Sequence, residues 1–374
     1  MFYSIRHVTR FRYSAPISES IMEVRIQPRT EGLQHCLDFR LTTTPRARIL
    51  DYRGEQGNKV HHFDVPNRHA QLTINAHSLV ELTPSPEPPT ALPTSAWEEL
   101  DALTATDEYW DTLMPSHFAS PTDLLRELAH ELNIQRRGDP LTVLRELNTG
   151  LHNSIDYSPK NTNVDSPIDD ALRVRQGVCQ DFAHIMITLV RALGIPCRYV
   201  SGYLFQQAGH REQRDRSTES ATHAWVEAML PGLGWVGFDP TNDMFAGERH
   251  IRVAVGRDYA DVPPTRGIFR GGAESELSVT VKVSLSDSLP TGYEATPKEE
   301  EWLPVAPVAD GYEHGQQEPL PQQQQPQQQQ QTKPFTLCLI IPQSTSGIGK
   351  QRTRFTKLRD ELLNVEGGLM QSGG

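Results

Sequence analysis

Polar and apolar side chains alternate along the first 82 residues with the period of two that is typical of β-strands. From Tyr3 to Tyr13, for example, the odd positions are mostly aromatic or aliphatic, and the even positions are mostly arginine or serine. Further strands are predicted at residues 37–41, 46–52, 59–63 and 71–80, with turn-forming residues between them. The pattern therefore predicts an antiparallel, sandwich-like β domain over residues 1–82.

The pattern changes from strands to helices after a proline-rich segment at residues 83–95, which we interpret as a linker. Helices are predicted to begin near Pro121 and Pro140, because proline is favoured in a first helical turn and apolar residues follow at helical spacing. A third helix, with a pronounced apolar face, is predicted to begin at Cys179 and to end at Gly194. These helices mark a second domain.

Strands follow the third helix, so this second domain is predicted to be α+β, with helices packed on an antiparallel sheet. The predicted strands cover residues 197–205, 223–230, 235–238 and 277–285, and the middle two form a hairpin. The polar residues 206–219 are interpreted as a surface loop. We place the domain at residues 96–288, with the strand at 277–285 closing it.

Residues 289–374 differ from the rest of the chain because they are rich in proline and glutamine and poor in apolar side chains. Such a segment cannot bury enough apolar surface to offset the entropy lost on ordering it, so it is predicted to be disordered. It also accounts for the modest hydrophobic fraction of the whole chain, 37%.

Charge and cysteine content argue against several classes of function. The chain carries 36 basic and 47 acidic residues, a net charge of −11, and no basic stripe, so nucleic acid is not an expected partner. No apolar run has the length of a membrane span or the pattern of a signal peptide. The four cysteines lie far apart, which argues against a disulfide framework or a Cys-rich zinc site. We therefore expect a cytoplasmic protein with no membrane partner, metal or cofactor, and the oligomeric state stays open.

Cys179 is the first candidate for chemistry because it stands where a helix is predicted to begin. Unpaired backbone N–H groups and the positive end of the helix dipole meet at such a position and stabilise a thiolate, the nucleophilic form of cysteine. The same N–H groups can bind the oxyanion of a tetrahedral intermediate. A buried, unreactive cysteine is the alternative interpretation.

His223 and Asp239 lie at the outer ends of the predicted hairpin. If Leu230 pairs with Trp235 at the turn, His223 and Asp239 are about three positions out of register, near enough for their side chains to meet. Asp239 would then hold one imidazole nitrogen while the other faces the thiol, as in a Cys-His-Asp triad. Because Asp-Pro commonly opens a turn, a purely structural role for Asp239 is the alternative.

Four stretches of sequence carry a resemblance to a known family. They are Gly177-Val178-Cys179-Gln180-Asp181-Phe182-Ala183-His184, Ala192-Leu193-Gly194-Ile195-Pro196-Cys197-Arg198-Tyr199-Val200-Ser201-Gly202-Tyr203, Thr222-His223-Ala224-Trp225-Val226-Glu227 and Gly234-Trp235-Val236-Gly237-Phe238-Asp239-Pro240-Thr241-Asn242. In order and spacing they resemble the transglutaminase-like superfamily of papain-fold enzymes. The strands before the linker resemble the β domain that precedes this core in a bacterial branch of the family, so the resemblance covers residues 1–285.

The resemblance implies a papain-like core in which the thiolate of Cys179 attacks a carboxamide or peptide carbonyl. By position in the motifs, His223 acts as base and acid, and Asp239 orients His223. The implied intermediate is a thioester, which water or an amine resolves, and the implied substrate is a peptide or protein amide. The sequence leaves open whether the enzyme is a peptidase, an amidase or an acyl transferase.

Two other functions stay open at this stage. The fold could be a non-catalytic binding module with an idle site. Alternatively, Cys179, His184, His223 and Asp239 could form a zinc site of mixed ligands.

The remaining conspicuous side chains near the motifs are expected to be mainly structural. Asp181 and His184 lie on the predicted helix, and Trp225 and Trp235 lie on the hairpin, where packing is their expected role. Tyr157, in a predicted loop upstream of the helix, is a candidate oxyanion donor.

Overall fold

The computed structural model describes residues 1–84, 86–159, 164–206 and 222–286. The predicted disordered segment at residues 289–374 lies outside this range, and so does the predicted surface loop apart from Gln206. Within these limits no helix is long and apolar enough to cross a membrane.

The elements follow the order of the sequence prediction, with several additional short ones. The strands are β1 (Phe2–Ile17), β2 (Glu19–Val24), β3 (Gln34–Thr44), β4 (Leu50–Arg53), β5 (Lys59–Val65), β6 (His69–Leu82), β7 (Asp156–Tyr157), β8 (Gln176–Gly177), β9 (Cys197–Leu204), β10 (Thr222–Leu230), β11 (Gly234–Asp239), β12 (Met244–Phe245), β13 (His250–Gly256), β14 (Thr265–Arg270) and β15 (Ser275–Ser286). The helices are α1 (Ala96–Thr104), α2 (Trp110–Leu113), α3 (Asp123–Glu131), α4 (Pro140–Ser154), α5 (Ile168–Val174) and α6 (Cys179–Ala192), and a short 3-10 turn covers Tyr259–Asp261.

In the described residues, the N-terminal domain is a sandwich of two four-stranded antiparallel sheets, in the orders β15-β1-β6-β3 and β14-β2-β5-β4. Alternation along β1 and β6 puts apolar side chains on one face, where Ile17, Phe63 and Leu72 are among those that form a core between the sheets. The antiparallel sandwich-like domain predicted from the sequence is therefore present.

The strand predicted at residues 277–285 has a different location from the one expected. It forms within β15, but β15 pairs with β1 over residues 275–286 and so extends the N-terminal sheet. The preceding strand, β14, pairs with β2 in the other sheet. The last strand therefore does not close the α+β core, because alternation specifies which face of a strand is buried but not which strand lies beside it.

The second domain packs helices on an antiparallel sheet, whose described part has five strands in the order β12-β11-β10-β9-β13. Helix α6 lies at its centre, and every residue from Gln180 to Ala192 is buried. Large apolar side chains of α6 such as Phe182 and Leu189 are fully covered, and burial of each contributes about 1.5–3 kcal/mol to stability. This burial fixes the start of α6 against β9 and β10, the strands that carry the rest of the site.

Polar side chains join the two domains. The amide of the buried Asn58 donates to the backbone oxygen of Val255 at 2.7 Å and accepts from the backbone N–H of Val255 at 2.9 Å. The imidazole of the buried His7 contacts the hydroxyl of Tyr203 at 2.8 Å. Tyr3 and Ile5 belong to the same hydrophobic cluster as the helices of the second domain. The β domain is therefore packed directly on the sheet that carries the candidate site.

Candidate active site

Cys179 is the first residue of α6, and it is partly buried at the edge of the hydrophobic core. The carboxylate of Asp181 accepts a hydrogen bond from the backbone N–H of Val178 at 2.8 Å, which anchors the helix start. Gly177 permits this arrangement, because a Cβ atom there would lie 2.9 Å from the Asp181 carboxylate. The N–H groups of Cys179 and Gln180 have no acceptor within the helix, as at any helix start, and they lie beside the thiol.

His223 and Asp239 are brought together as a hydrogen-bonded pair. The Nε2 atom of His223 lies 2.7 Å from Oδ2 of Asp239, and both side chains are fully buried. The hairpin register differs by one residue from the expected one, because Leu230 pairs with Gly234 rather than Trp235. The proximity nevertheless holds, because the next step of this register puts Asp239 opposite Trp225, which is two residues from His223 and on the same face of the strand.

The Cys179 thiol lies close to His223, and its hydrogen bonding and its charge both contribute to raising the pKa of the imidazole. Because Asp239 holds Nε2, the ring atom left for the sulfur is Nδ1. Among the described residues, none forms a hydrogen bond of good geometry with Nδ1. Such a loose contact is common in catalytic pairs before substrate binds. The three residues singled out in the sequence thus lie in one place, in the order thiol, imidazole, carboxylate.

The Asp239 carboxylate accepts hydrogen bonds at both oxygens. Oδ1 accepts from the backbone N–H groups of Thr241 and Asn242 at 3.1 and 3.2 Å. Oδ2 accepts from His223, from the Asn242 amide at 2.8 Å and from Nε2 of His250 at 3.1 Å. The turn after Asp239 therefore supplies three of these five donors, and His223 and His250 supply the other two.

These contacts set the charges of the buried pair. Burial alone would raise the pKa of Asp239, but the charge of His223 and the hydrogen bonds from His223 and His250 hold it well below its usual value. Burial would lower the pKa of His223, but the charge and hydrogen bond of Asp239, together with the nearby Cys179, raise it above its usual value. The geometry therefore favours an ionised Asp239 beside a protonated His223.

His250 is a second histidine that contacts the Asp239 carboxylate, and no pattern in the sequence predicts this contact. Its Nδ1 atom accepts from the backbone N–H of Gly247 at 3.2 Å, so Nε2 carries the proton that is donated to Asp239. Burial lowers the pKa of His250, which keeps the ring neutral. The residue begins β13, which pairs with β9 and not with the hairpin, so no local spacing links it to Asp239.

The ligand atoms of His223, Asp239 and His250 lie within 4.8 Å of one another, whereas Cys179 and His184 are not part of this group. Two ligands of a tetrahedral zinc ion, each about 2.0 Å from the metal, stand about 3.3 Å apart. The 2.7 Å separation of His223 Nε2 from Asp239 Oδ2 is shorter than this and is that of a direct hydrogen bond. The arrangement as it stands fits a hydrogen-bonded triad better than a zinc site.

The other conspicuous side chains near the motifs make packing contacts. The imidazole of His184 stacks on Phe118 and accepts from the backbone N–H of Tyr259 at 3.2 Å. Trp225 is fully buried, with its ring stacked on His223 and edge-on to His250.

Two more of the singled-out aromatic residues lie at the surface of the core. Trp235 packs under the Arg198 guanidinium, which lies 4.4 Å from the ring centroid. Tyr157 pairs with Gly177 in a short parallel ladder, which puts it beside the segment that leads into Cys179.

Comparison with known proteins agrees with this architecture. Residues 3–81 match the family described as the bacterial transglutaminase-like N-terminal region. Residues 126–240 match the transglutaminase-like superfamily, and that range contains the helix start at Cys179 and both hairpin residues. The chain belongs to the transglutaminase-like superfamily.

Relatives and solved structures match this superfamily member over different lengths. An uncharacterized protein of Mycobacterium leprae is 36% identical over 282 residues, which are 74% of this chain and 96% of that protein. A protein-glutamine gamma-glutamyltransferase of Pseudomonas aeruginosa is 32% identical over 153 residues, 39% of this chain and 23% of that protein. The crystal structure of a candidate cysteine protease from Cytophaga hutchinsonii has a TM-score of 0.59 and 22% identity, and the match covers 79% of this chain and 94% of that one. This last similarity shows the shared fold.

Proposed function

We propose that this transglutaminase-like protein is a cysteine-dependent enzyme that acts on an amide or peptide bond through a thioester at Cys179. The observation that carries the proposal is the grouping of a thiol at a helix start with the buried His223–Asp239 pair. Such a grouping supplies a nucleophile, a proton carrier and an orienting carboxylate. The substrate class is a peptide or protein amide.

In the proposed first step the Cys179 thiolate attacks the carbonyl carbon of the amide, and the carbonyl oxygen becomes an oxyanion. The backbone N–H groups at the start of α6 are the proposed hydrogen-bond donors to that oxyanion. As the C–N bond breaks, protonated His223 gives its Nδ1 proton to the leaving nitrogen. Ammonia or an amine departs, and the acyl group stays on sulfur as a thioester.

In the second step water or an acceptor amine attacks the thioester, and His223 takes its proton at Nδ1. The carbon–sulfur bond breaks, and the product is an acid or a new amide, respectively. Asp239 stabilises the imidazolium through both steps and keeps the Nδ1 atom facing the sulfur. Hydrolysis and acyl transfer therefore differ only in what reaches the thioester.

The names of the relatives are compatible with either outcome. One is a protein-glutamine gamma-glutamyltransferase and another is a candidate cysteine protease. A reactive thiolate must be kept reduced, so a cytoplasmic location is part of the proposal. The alternative function is a binding module that keeps the fold without turnover.

The test uses an iodoacetamide-type probe and a glutamine-containing peptide with the full chain. We expect the probe to label Cys179 selectively, with Cys36 as internal comparison, because burial raises the pKa of the Cys36 thiol to about 11. The peptide should release ammonia or an amine, and an acyl adduct on Cys179 should be detectable by mass spectrometry. Cys179→Ala should abolish release, whereas Cys36→Ala should retain it.

Retained turnover in Cys179→Ala would disprove the mechanism. Equal labelling of the two cysteines, together with no turnover of amides in the full chain, would favour the binding module. Incorporation of an added amine would assign transfer, and its absence during ammonia release would assign hydrolysis.

A further inference from the structure

Strand β15 leaves a row of apolar side chains exposed at the edge of the N-terminal sheet. In the described part of the chain β15 is the outermost strand, with β1 as its neighbour. Every second residue from position 277 to position 285 is leucine or valine. Leu277, Val279 and Leu285 are 54%, 47% and 43% exposed, whereas Val281 and Val283 pack partly on the core.

This row continues the buried face of the sheet. Leu285 lies opposite Tyr3, and Val283 lies opposite Ile5, in the ladder with β1. Tyr3 and Ile5 are buried, so the β15 row points to the same side of the sheet but extends beyond the side chains that cover it. A long apolar edge strand is a template for pairing with another strand.

The charges on the opposite face of β15 show what kind of strand fits. Glu276 and Lys282 lie at equal distances along the strand on either side of Val279. In an antiparallel pair of two identical strands centred on Val279, each Glu276 stands opposite Lys282 of the second copy, and this contact occurs twice. In the same register Leu277 stands opposite Val281, so apolar side chains meet apolar ones. A second β15 is therefore complementary to the first in both charge and hydrophobicity.

We propose that β15 is a self-association surface, through which two copies of this chain pair antiparallel about a two-fold axis at Val279. The pairing joins the β15-β1-β6-β3 sheet of each copy into one continuous sheet. It satisfies the outward backbone groups of both edge strands and covers Leu277 and Val279. It is independent of the proposed chemistry, because no residue of the triad belongs to β15.

The first test is sedimentation equilibrium of the full chain with charge variants. We expect a dimer for the native chain. Glu276→Lys and Lys282→Glu each place like charges opposite one another at two symmetric sites, and each should raise the dimer dissociation constant by about tenfold or more. The double variant Glu276→Lys with Lys282→Glu restores opposite charges and should return the constant to within about threefold of native.

A native chain that is monomeric, or a double variant that dimerises no better than the single ones, would overturn the proposal. The altered side chains are exposed, and circular dichroism and thermal unfolding establish that each variant is folded.

The second test is disulfide trapping, which reports the register. Val279→Cys places two thiols across the axis, where paired Cα atoms stand about 4.5–5.5 Å apart, within the range of a disulfide. Leu277→Cys is the matched control, because the two Cys side chains would then be about 13 Å apart along the strands. We expect a cross-linked dimer from Val279→Cys under mild oxidation and none from Leu277→Cys. Equal cross-linking of the two variants would refute the register.

Discussion

Replacing Asp239 by asparagine tests the most heavily hydrogen-bonded side chain of the site. Asparagine has the same shape, and its single oxygen can still accept from the backbone N–H groups of Thr241 and Asn242. Its NH₂ group then takes the position of Oδ2, where three donors now converge. Each conflict between two donors must be relieved or left unsatisfied, at about 1–3 kcal/mol apiece.

Two of the three conflicts can be relieved locally. The Asn242 amide can rotate by half a turn, and His223 can move its proton from Nε2 to Nδ1. His250 cannot adapt, because the N–H of Gly247 occupies its Nδ1 atom. The expected loss of stability is therefore that of about one unsatisfied donor, about 1–3 kcal/mol.

The effect on turnover is much larger, because the tautomer that His223 adopts to relieve its conflict is the wrong one for catalysis. With its proton on Nδ1, neutral His223 presents a donor to Cys179 and can no longer accept a proton there. We expect turnover to fall by roughly 10³–10⁴, equivalent to about 4–5.5 kcal/mol in the barrier. The upper end of that range is the loss that follows when the triad aspartate of a serine protease is replaced by asparagine, which also leaves the imidazole in the wrong tautomer.

The assay is amide turnover together with urea unfolding of the same preparations. Asp243→Asn is the matched control, because the Asp243 carboxylate accepts from Asn148 and Thr149 through Oδ1 and makes no contact with His223. We expect the control to keep native turnover. Asp239→Asn with turnover within about tenfold of native would refute the role assigned to the carboxylate.

Three further predictions concern stability and positioning. Burial lowers the pKa of His7 to about 4, so the unfolded chain binds a proton that the folded chain does not as pH falls from about 6.5 to about 4. The folded state therefore loses stability on acidification. Urea unfolding should show that His7→Gln reduces the free energy of unfolding lost between about pH 7.5 and about pH 5 by about 2 kcal/mol. An unchanged loss in this variant would contradict the burial effect. Gly202→Ala places a Cβ atom in steric overlap with the backbone oxygen of Ile251 and with the Trp225 ring, and it should destabilise the fold by about 3 kcal/mol or more. Gly247→Ala, whose Cβ atom would meet open space, should cost little, and equal unfolding midpoints of the two variants would show that the structure absorbs the clash. His250→Leu should lower turnover roughly tenfold and shift the pH profile of turnover, whereas His250→Gln, which can still donate to the Asp239 carboxylate, should keep near-native turnover. Equal effects of the two variants would exclude a role of this hydrogen bond in positioning Asp239.

The sequence was sufficient to predict those residues of the candidate site that are positioned by elements close to them along the chain. A helix start identifies Cys179, and strand alternation with a short hairpin links His223 to Asp239 even though the assumed register was one residue off. His250 could not be found this way, because it reaches Asp239 through the pairing of β13 with β9, a contact that no short-range pattern encodes. The same limitation misplaced the final strand, whose alternation was evident but whose neighbour in the sheet was not.

The way β14 and β15 return to the first two strands has a consequence for biosynthesis. Both sheets of the N-terminal sandwich take an outer strand from residues 265–286, although the region matched by the N-terminal family ends at residue 81. While the ribosome is still translating the helical segment, the emerged sandwich lacks those outer strands, and β1 and β2 have unpaired backbone groups on that side. The sandwich is completed only after the whole α+β segment has left the exit tunnel, so nascent chains expose two open sheet edges for most of their synthesis.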